Sequence, residues 1–462
     1  MLMEQNRQQT CFISQYPPHT VRPAIRPPHF YYCRLVVLFM GCLWLPATQA
    51  QENDINADMN AEILRELRAL KERVNELETE LASYRKEEVA AEDEPPVTTA
   101  ELQIIEPLVE TRAREVYEEL EAEKAEDIEG ITVGGAVRAQ YSVEDFNAGN
   151  RDRAGDFDFD TLRINLDGSL GDVLLSAEYR FYQFMNVIHH AWVGYDFTDT
   201  LRGQIGVHQV PFGVTPYNSH NYFFSSNYYL GLEDDYDMGA KLIWDNDPLN
   251  IQFAFYKNDE QGGVDGFVSN RSDRYSYDIV GFRGAGEGTF ANPANEVGES
   301  NTFNGRIAYT LHHHKDYSTE LGFSGQYGDL HDGSSSVGDN IAYAAHIVGN
   351  YDRWNLQLQA TQYEYDLNAG ADLLAVGAYS FFDTIPAEAT TYTANLAYSL
   401  PVDFGPVSNL TFYNDYSLIT DKSVGLADTW MNVTGIAVTA GGVYAYFDFV
   451  TARNQPFIGG SI

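Results

Sequence analysis

The sequence is poor in cysteine, and its three cysteines lie close to the beginning, at Cys11, Cys33 and Cys42. Everything after residue 50 therefore lacks the thiols that a disulfide framework or a cysteine metal site requires. A thiol-free chain suits passage through an oxidising compartment, because an unfolded chain without thiols cannot mispair them.

Long apolar runs and positive charge are also scarce. After residue 50 the sequence has no stretch of 18 apolar residues, which excludes a transmembrane helix there and leaves β-strands as the only means of spanning a membrane. The chain carries 29 Lys and Arg against 67 Asp and Glu, a net charge of -38. Such a balance is unfavourable for nucleic-acid binding.

Motifs for catalysis are missing as well. The sequence has no G-x-S-x-G elbow, no H-E-x-x-H pair and no glycine-rich phosphate loop. Three consecutive histidines, 312–314, fall in a tight turn where adjacent side chains cannot all reach one ion, so they indicate a solvent-exposed turn rather than a metal site. We therefore expect no enzyme, no cofactor and no metal.

The sequence is rich in residues that form β-structure, with 31 Tyr, 26 Phe and 38 Gly. Between residues 156 and 213 it alternates with period two, so that Leu162 and Ile164 share one face and Arg163 lies on the other. The pattern predicts fifteen strands, at residues 131–146, 156–168, 172–184, 186–197, 200–209, 236–245, 249–257, 301–312, 316–328, 340–350, 353–366, 389–400, 408–418, 431–440 and 442–452.

The connections between these strands alternate in length. Short turns such as GSLGD, FTDT and DNDP fall on every second junction, and most of the others are long. Two-faced strands with short turns at one end and long loops at the other are typical of an outer-membrane β-barrel. The predicted fold is an all-β transmembrane barrel with about fifteen strands visible, preceded by an N-terminal α-helical coiled coil.

Short motifs within these strands carry a family resemblance. The series F-x-x-x-R-I-N-L-D-G-S-L-G-D, A-E-Y-R-F, I-x-x-A-W-V-G-Y and G-x-x-x-x-P-F-G, between residues 159 and 213, resembles the phosphate-selective porins O and P. The resemblance implies a trimeric, 16-stranded diffusion channel. One position departs from it, because Gln209 stands where the family commonly has a lysine before Pro-Phe-Gly.

The N-terminal part divides into three segments ahead of the barrel at residues 130–462. Residues 1–50 read as a secretory signal peptide, with an apolar run at 35–45 and a small-residue site ending at Ala50. Residues 51–94 read as a coiled coil that ends at a Pro-Pro pair, and residues 95–129 as an acidic helical linker.

The coiled-coil prediction depends on a regular 4-3-4-3 spacing of apolar residues over three heptads. A short trimerisation pattern, R-h-x-x-h-E, lies within it. A single solvated helix is the alternative. The predicted trimerisation residues are Ile63, Leu67, Leu70, Arg73, Val74, Leu77, Glu78 and Leu81.

Polar residues of the early strands and of the long loop after residue 209 are the candidates for a channel lining. The loop is the third outer loop, which in trimeric porins folds into the lumen; an exposed acidic loop is the alternative. The arginines form either a row that attracts anions or partners that neutralise nearby carboxylates. The candidate pore-lining residues are Arg163, Glu178, Arg180, Arg202, His208, Gln209, His220, Asp234, Asp235 and Asp237.

Charge balance also bears on selectivity. Residues 130–462 contain 16 Lys and Arg against 41 Asp and Glu, and their only lysines are Lys241, Lys257, Lys315 and Lys422. We therefore expect weak cation preference or little selectivity rather than phosphate specificity.

The predicted strand count is odd, whereas single-chain bacterial barrels have an even number. The last predicted strand is followed by Gly459-Gly460-Ser461, which has loop chemistry, and Ile462 is not the terminal aromatic residue that such barrels usually have. The expectation from sequence is that the final strand is missing and the sheet stays open.

These observations predict a passive porin of the Gram-negative outer membrane. Its partners would be outer-membrane lipid, two further copies in a homotrimer, and small hydrophilic solutes, with no nucleic acid. Two alternatives stay open: a structural trimeric protein that tethers the envelope through a periplasmic coiled coil, and a secreted acidic β-sandwich.

Overall fold

A computed structural model describes residues 32–41, 130–455, 458 and 462. All fifteen predicted strands are present, each within a few residues of its predicted bounds. The strands are β1 (Tyr32–Gly41), β2 (Gly130–Glu144), β3 (Asp156–Leu170), β4 (Val173–Tyr182), β5 (Asn186–Thr198), β6 (Leu201–Gln209), β7 (Tyr236–Asn246), β8 (Leu249–Asp259), β9 (Asp278–Phe282), β10 (Asn295–Glu296), β11 (Gly298–His314), β12 (Tyr317–His331), β13 (Ser336–Tyr351), β14 (Trp354–Leu367), β15 (Leu373–Ala378), β16 (Phe381–Pro386), β17 (Glu388–Phe404), β18 (Val407–Thr420), β19 (Thr429–Ala440) and β20 (Val443–Arg453).

Sixteen of these strands form one closed antiparallel barrel in the order β1 to β8, β11 to β14 and β17 to β20. Because the sheet closes on itself, every barrel strand is paired along both edges, and no ladder of backbone groups is left open. The closed sheet excludes the β-sandwich alternative.

The closing strand was not expected. β1 pairs antiparallel with β2 and with β20, from Tyr32 opposite Ala452 to Gly41 opposite Val443. The expectation of an open sheet that lacks its final strand is therefore wrong, because β20 has partners on both edges. The segment that fills the position is the apolar run that the sequence assigned to a signal peptide, and the assignment of residues 1–50 to a leader stays a prediction.

The two faces of the barrel wall follow the period-two pattern. Ile205 on β6 is 68% exposed, whereas its neighbour Gln204 is 8% exposed. On β3, Leu162, Ile164 and Leu166 are all exposed. Successive side chains of a strand point to opposite sides, so the apolar set lies on the outside and the polar set lies within.

Short turns occupy one end of the barrel. Two residues connect β3 to β4, β5 to β6, β7 to β8 and β19 to β20, as the sequence predicted. Gly441 in the last of these turns has φ +58°, a left-handed conformation that glycine adopts without strain. Most of the connections at the other end are longer, and two of the longest contain the short strands β9, β10, β15 and β16.

Four short strands form a second sheet that the sequence did not predict. It has the order β10, β9, β15, β16, and we call it the inserted sheet. It is built from the connections between β8 and β11 and between β14 and β17. Leu374, Val376 and Ile385 in it are fully buried. Its strands are only two to six residues long, too short for a periodic pattern to mark them.

Helix is sparse in the described residues. α1 (Ala148–Asp152) is a single turn capped by the side chain of Asn147, and two 3-10 turns lie at Tyr228–Leu230 and Ser423–Gly425. Within the described part of the chain, no helix has the length and apolar character needed to cross a membrane. The predicted coiled coil and acidic linker, residues 51–129, lie outside the described residues.

Candidate functional site

The connection between β6 and β7, residues 210–235, lies inside the barrel, and we call it the inward loop. Its first part reaches the opposite wall through backbone donors: Gly213 N donates to Ser324 Oγ on β12 at 2.9 Å, and Val214 N donates to Gln359 Oε1 on β14 at 2.8 Å. The alternative of an exposed acidic loop is therefore wrong.

The middle of the inward loop continues around the inner wall. Asn218 accepts at its carbonyl from Asn395 Nδ2 on β17 at 2.8 Å. Further on, Ser226 N donates to Ser417 Oγ on β18 at 3.2 Å, and Tyr222 N donates to Asp448 Oδ2 on β20 at 3.2 Å. Polar side chains that point inward from five strands thus form hydrogen bonds with the backbone of this segment. The backbone N–H and C=O groups of a buried loop require such partners.

Aromatic contacts fix the loop to the connections that carry the inserted sheet. Tyr228 is 2% exposed, and its hydroxyl donates to the carbonyl of Tyr275 at 2.8 Å and lies 2.7 Å from the hydroxyl of Tyr379. The ring of Phe224 stacks on Tyr228 with centroids 4.4 Å apart. The loop is therefore packed on both sides, by the barrel wall and by the other long connections.

Two buried carboxylates at the end of the inward loop accept hydrogen bonds from the loop backbone and from nearby tyrosines. Glu233 accepts from Asn218 N at 2.9 Å and from Ser225 N at 3.1 Å, and burial raises its pKa to about 7. Asp234 accepts from the hydroxyls of Tyr236 at 3.0 Å and Tyr275 at 2.5 Å, and burial raises its pKa to about 6. Asp234 is thus buried among its partners.

His220 binds the loop to the wall with two ring contacts. Its Nδ1 lies 2.8 Å from Asp415 Oδ1 on β18, and its Nε2 lies 2.6 Å from Asn355 Oδ1 on β14. Burial by itself lowers the pKa of His220, but the hydrogen bond and the charge of Asp415 outweigh it, so the pKa is raised above its ordinary value.

A cavity of about 440 Å³ lies between the inward loop and the barrel wall, with lining residues from β2 to β4 and from β18 to β20. Arginines and tyrosines dominate its lining. The guanidinium of Arg180 lies 4.3 Å from the centre of the Tyr275 ring, and that of Arg138 lies 4.8 Å from the Tyr222 ring. The charged and tyrosine lining residues are Arg138, Asp160, Arg163, Arg180, Tyr182, Tyr217, His220, Tyr222, Tyr228, Tyr229, Tyr275, Tyr379, Tyr444 and Tyr446.

Each cavity arginine has a carboxylate beside it. Arg138 is hydrogen-bonded to Asp160, and Arg180 to Glu178. Arg163 Nη1 lies 3.8 Å from Glu178 Oε2. Of the two open interpretations of the arginines, this geometry favours neutralisation, because the positive charges are paired with fixed negative ones.

Only part of the predicted pore-lining set meets at this cavity. Arg163, Arg180 and His220 line it, and Glu178 lies directly behind. The other predicted residues lie elsewhere. Arg202 binds Asp196 beside a short turn, His208 contacts Tyr256, Gln209 contacts Pro216 and Asp234, and Asp235 and Asp237 lie near Asp278.

Sequence reasoning missed Arg138 and the tyrosines. Arg138 lies on β2, where the same alternation that selected Arg163 places it among inward residues, so its signal was present. Most of the tyrosines come from loops far apart in sequence, such as Tyr222 and Tyr379, and no spacing rule joins these; Tyr182, Tyr444 and Tyr446 lie on strands. The pore-lining role of the whole set stays a prediction.

One serine–histidine contact bears on catalysis. Ser176 Oγ lies 2.9 Å from His190 Nε2, but it also donates to Asp167 Oδ1 at 2.7 Å. In a hydrolase triad the carboxylate binds the histidine and not the serine. The prediction that the chain is not an enzyme stays a prediction.

No family model matches the chain, and no curated protein matches it. Among solved structures it is similar to a loop L8 deletion mutant of OmpT, an outer membrane protein of Vibrio cholerae, with 10% identity over 70% of this chain and 99% of that one and a TM-score of 0.39. An anion-selective porin from Comamonas acidovorans has 12% identity, coverage of 70% and 99%, and a TM-score of 0.36. The outer membrane channel DcaP of Acinetobacter baumannii has 7% identity, coverage of 65% and 87%, and a TM-score of 0.35. At these identities and TM-scores the likeness assigns no family, and membership of the phosphate-selective porins stays a prediction.

Proposed function

We propose that the chain is a passive diffusion channel for small hydrophilic solutes in the outer membrane of a Gram-negative cell. The observation that carries this proposal is a closed barrel with an apolar outer face whose third outer loop is hydrogen-bonded across its interior. An apolar outside requires lipid, and a polar inside narrowed by a fixed loop suits selection of solutes by size.

The orientation in the membrane follows from the connections. Short turns in bacterial barrels face the periplasm and long loops face outward, which puts the inserted sheet and the entrance of the inward loop on the outer side. Outer-membrane lipid is then the partner of exposed wall residues such as Ile205 and Leu242.

Weak charge selectivity is the second part of the proposal. The guanidiniums of Arg138 and Arg180 are paired with carboxylates, and Arg163 shares Glu178 with Arg180. Two carboxylates beside three guanidiniums leave one unbalanced positive charge among these groups, in contrast to the concentrated positive charge that phosphate selection requires. A homotrimer is the proposed assembly.

Insertion of the purified protein into planar bilayers tests the channel. We expect discrete conductance steps, and larger steps for a variant in which residues 217–232 are replaced by a short Gly-Ser linker, because the linker no longer obstructs the lumen. A matched control places the same kind of linker at residues 284–292, a largely exposed part of the connection between β9 and β10. The control should leave the step size unchanged.

The absence of any conductance step from folded, inserted protein would remove the channel proposal and favour the structural tether. Equal step sizes with and without the inward loop would show that the loop does not set the constriction. Membrane fractionation of the expressing cell checks the location independently of transport.

A further inference from the structure

Three carboxylates from separate elements converge where the inward loop ends. Asp235 is the last residue of that loop, Asp237 lies on β7, and Asp278 begins β9 of the inserted sheet. One carboxylate oxygen from each lies within 4.8 Å of the others. Carboxylate oxygens from two stretches of chain, 235–237 and 278, at this separation surround a position that a single ion can fill.

The two arginines nearby do not balance this group. Arg274 Nη2 donates to Asp259 Oδ2 at 2.9 Å, and its other end binds Asp278. Arg271 donates to Asp259 at 3.2 Å and to the carbonyls of Val280 and Val297 at 3.0 and 2.9 Å. The positive charge is thus directed at Asp259, Glu260 and one side of Asp278.

Further negative charge surrounds the same place. Glu260 lies 3.4 Å from Arg274 Nη1, and Glu299 accepts from the hydroxyl of Tyr365 at 2.7 Å. The six carboxyl groups of this cluster face two guanidiniums. The six are Asp235, Asp237, Asp259, Glu260, Asp278 and Glu299.

An independent observation points to a ligand. Asp237 is only 5% exposed, and within the described part of the chain its Oδ1 atom has no hydrogen-bond partner. A buried carboxylate oxygen without a partner is costly and is rarely tolerated unless something binds it. This oxygen belongs to the side chain that faces Asp235 and Asp278.

The donor set identifies the class of ligand. All three groups offer carboxylate oxygen, and neither imidazole nor thiolate takes part. Hard divalent cations prefer oxygen donors, and Ca²⁺ accepts the irregular geometry of carboxylates on a loop, a barrel strand and a second sheet more readily than Mg²⁺. We propose that Asp235, Asp237 and Asp278 bind one Ca²⁺ ion.

Such an ion would hold three elements together. Through Asp235 it fixes the end of the inward loop, through Asp237 the wall, and through Asp278 the inserted sheet. No sequence pattern indicated this site, because β7, β8 and the connection at 260–277 separate Asp278 from the other two ligands. The site does not depend on transport, so its test is separate from the test of the channel.

The experiment measures Ca²⁺ binding and thermal unfolding of the full chain in detergent after treatment with EGTA. We expect calorimetry to find one Ca²⁺ site per chain that is weakened at least tenfold in Asp237→Asn. Calcium should raise the Tm of the unsubstituted protein and not that of Asp237→Asn. The matched control is Asp448→Asn, another buried wall carboxylate that binds the inward loop through Tyr222 N; it should retain the response.

The substitution at Asp237 should not prevent folding, because it removes a buried charge that has no partner. Should that variant fail to fold, Asp235→Asn provides the same comparison. Equal Ca²⁺ affinity in Asp237→Asn and in the unsubstituted protein would overturn the proposal. So would a Tm that depends on pH but not on Ca²⁺, since protonated carboxyl groups would then account for the cluster.

Discussion

The arginines of the cavity lie in ion pairs with carboxylates, and two of these arginines share one carboxylate. Glu178 is hydrogen-bonded to Arg180 and lies 3.8 Å from Arg163, while Asn165 Nδ2 donates to it at 2.6 Å. A paired guanidinium attracts a passing anion less than a free one does, because the fixed carboxylate offsets its field. The cavity's selectivity is therefore sensitive to Glu178.

Glu178→Gln tests this pairing. We expect the reversal potential across a KCl gradient to shift toward anions, by a permeability ratio of roughly fivefold, the factor that corresponds to about 1 kcal/mol for one charge in a hydrated pore. Arg180→Gln should shift it toward cations.

The control for both substitutions is Arg353→Gln, an exposed residue of the turn between β13 and β14. It should leave the reversal potential unchanged. A strong anion preference in the unsubstituted protein would contradict the proposal of weak selectivity, and an unchanged potential in Glu178→Gln would show that solutes do not pass this cavity.

His220 makes the attachment of the inward loop depend on pH. Its pKa is raised in the folded protein by Asp415, with Asn355 as the second ring partner. The stabilisation is complete below the ordinary histidine pKa of about 6.5 and is lost as the pH rises through the folded pKa. A hydrogen bond to a charged group contributes on the order of 1.5–3 kcal/mol.

We expect amide hydrogen exchange in residues 216–224, corrected for intrinsic rates, to show stronger protection at pH 5.5 than at pH 8.5. His220→Asn should reduce the difference, and the remainder should come from Glu233 and Asp234, whose raised pKa values of about 7 and about 6 lie in the same pH interval. His313→Asn, which changes an exposed residue near the end of β11, is the control. Protection that rises with pH in the unsubstituted protein would reverse the sign and contradict the assignment.

Among the elements, β1 decides whether the barrel is closed. Without β1 the sheet of the other fifteen barrel strands would have two open edges, at β2 and at β20, and β1 pairs with both. An unpaired edge in a bilayer leaves backbone groups without partners, at a cost of several kcal/mol for each group.

Refolding in vitro compares the full chain with a chain that begins at Gln51. We expect the full chain to form a barrel whose electrophoretic mobility changes on heating, and the shorter chain to form less of it, because β2 and β20 then lack a partner. Equal yields of heat-modifiable protein would show that β1 is dispensable for closure.

The whole molecule is expected to assemble as a trimer in which the N-terminal coiled coil adds to contacts between barrel walls. The heptad seam over residues 63–84 predicts this contribution. Deletion of residues 54–94 should weaken the trimer and leave the barrel folded.

Cross-linking and light scattering of the full and shortened proteins measure this assembly. A deletion of equal length is not possible within the barrel, so removal of residues 95–120 of the acidic linker serves as the control. Cross-linking that traps only monomers or dimers of the full protein would contradict the prediction.

Local sequence pattern was enough to predict fifteen of the sixteen strands of the barrel wall. Alternation such as Leu162, Arg163, Ile164 is a local property, because a strand with one apolar and one polar face needs only its own residues to show it. The short turns were equally local, and the strands they join matched their predicted bounds within a few residues. The position of the third outer loop also followed from counting the connections.

What lies inside that wall depends on contacts that only the folded chain makes. The loop tyrosines of the cavity and the approach of Asp278 to Asp235 and Asp237 join segments far apart in the chain. Period and spacing carry no information about such contacts. The inserted sheet was missed because its strands are short, and β1 because an apolar run without alternation has the same pattern in a leader as in a strand.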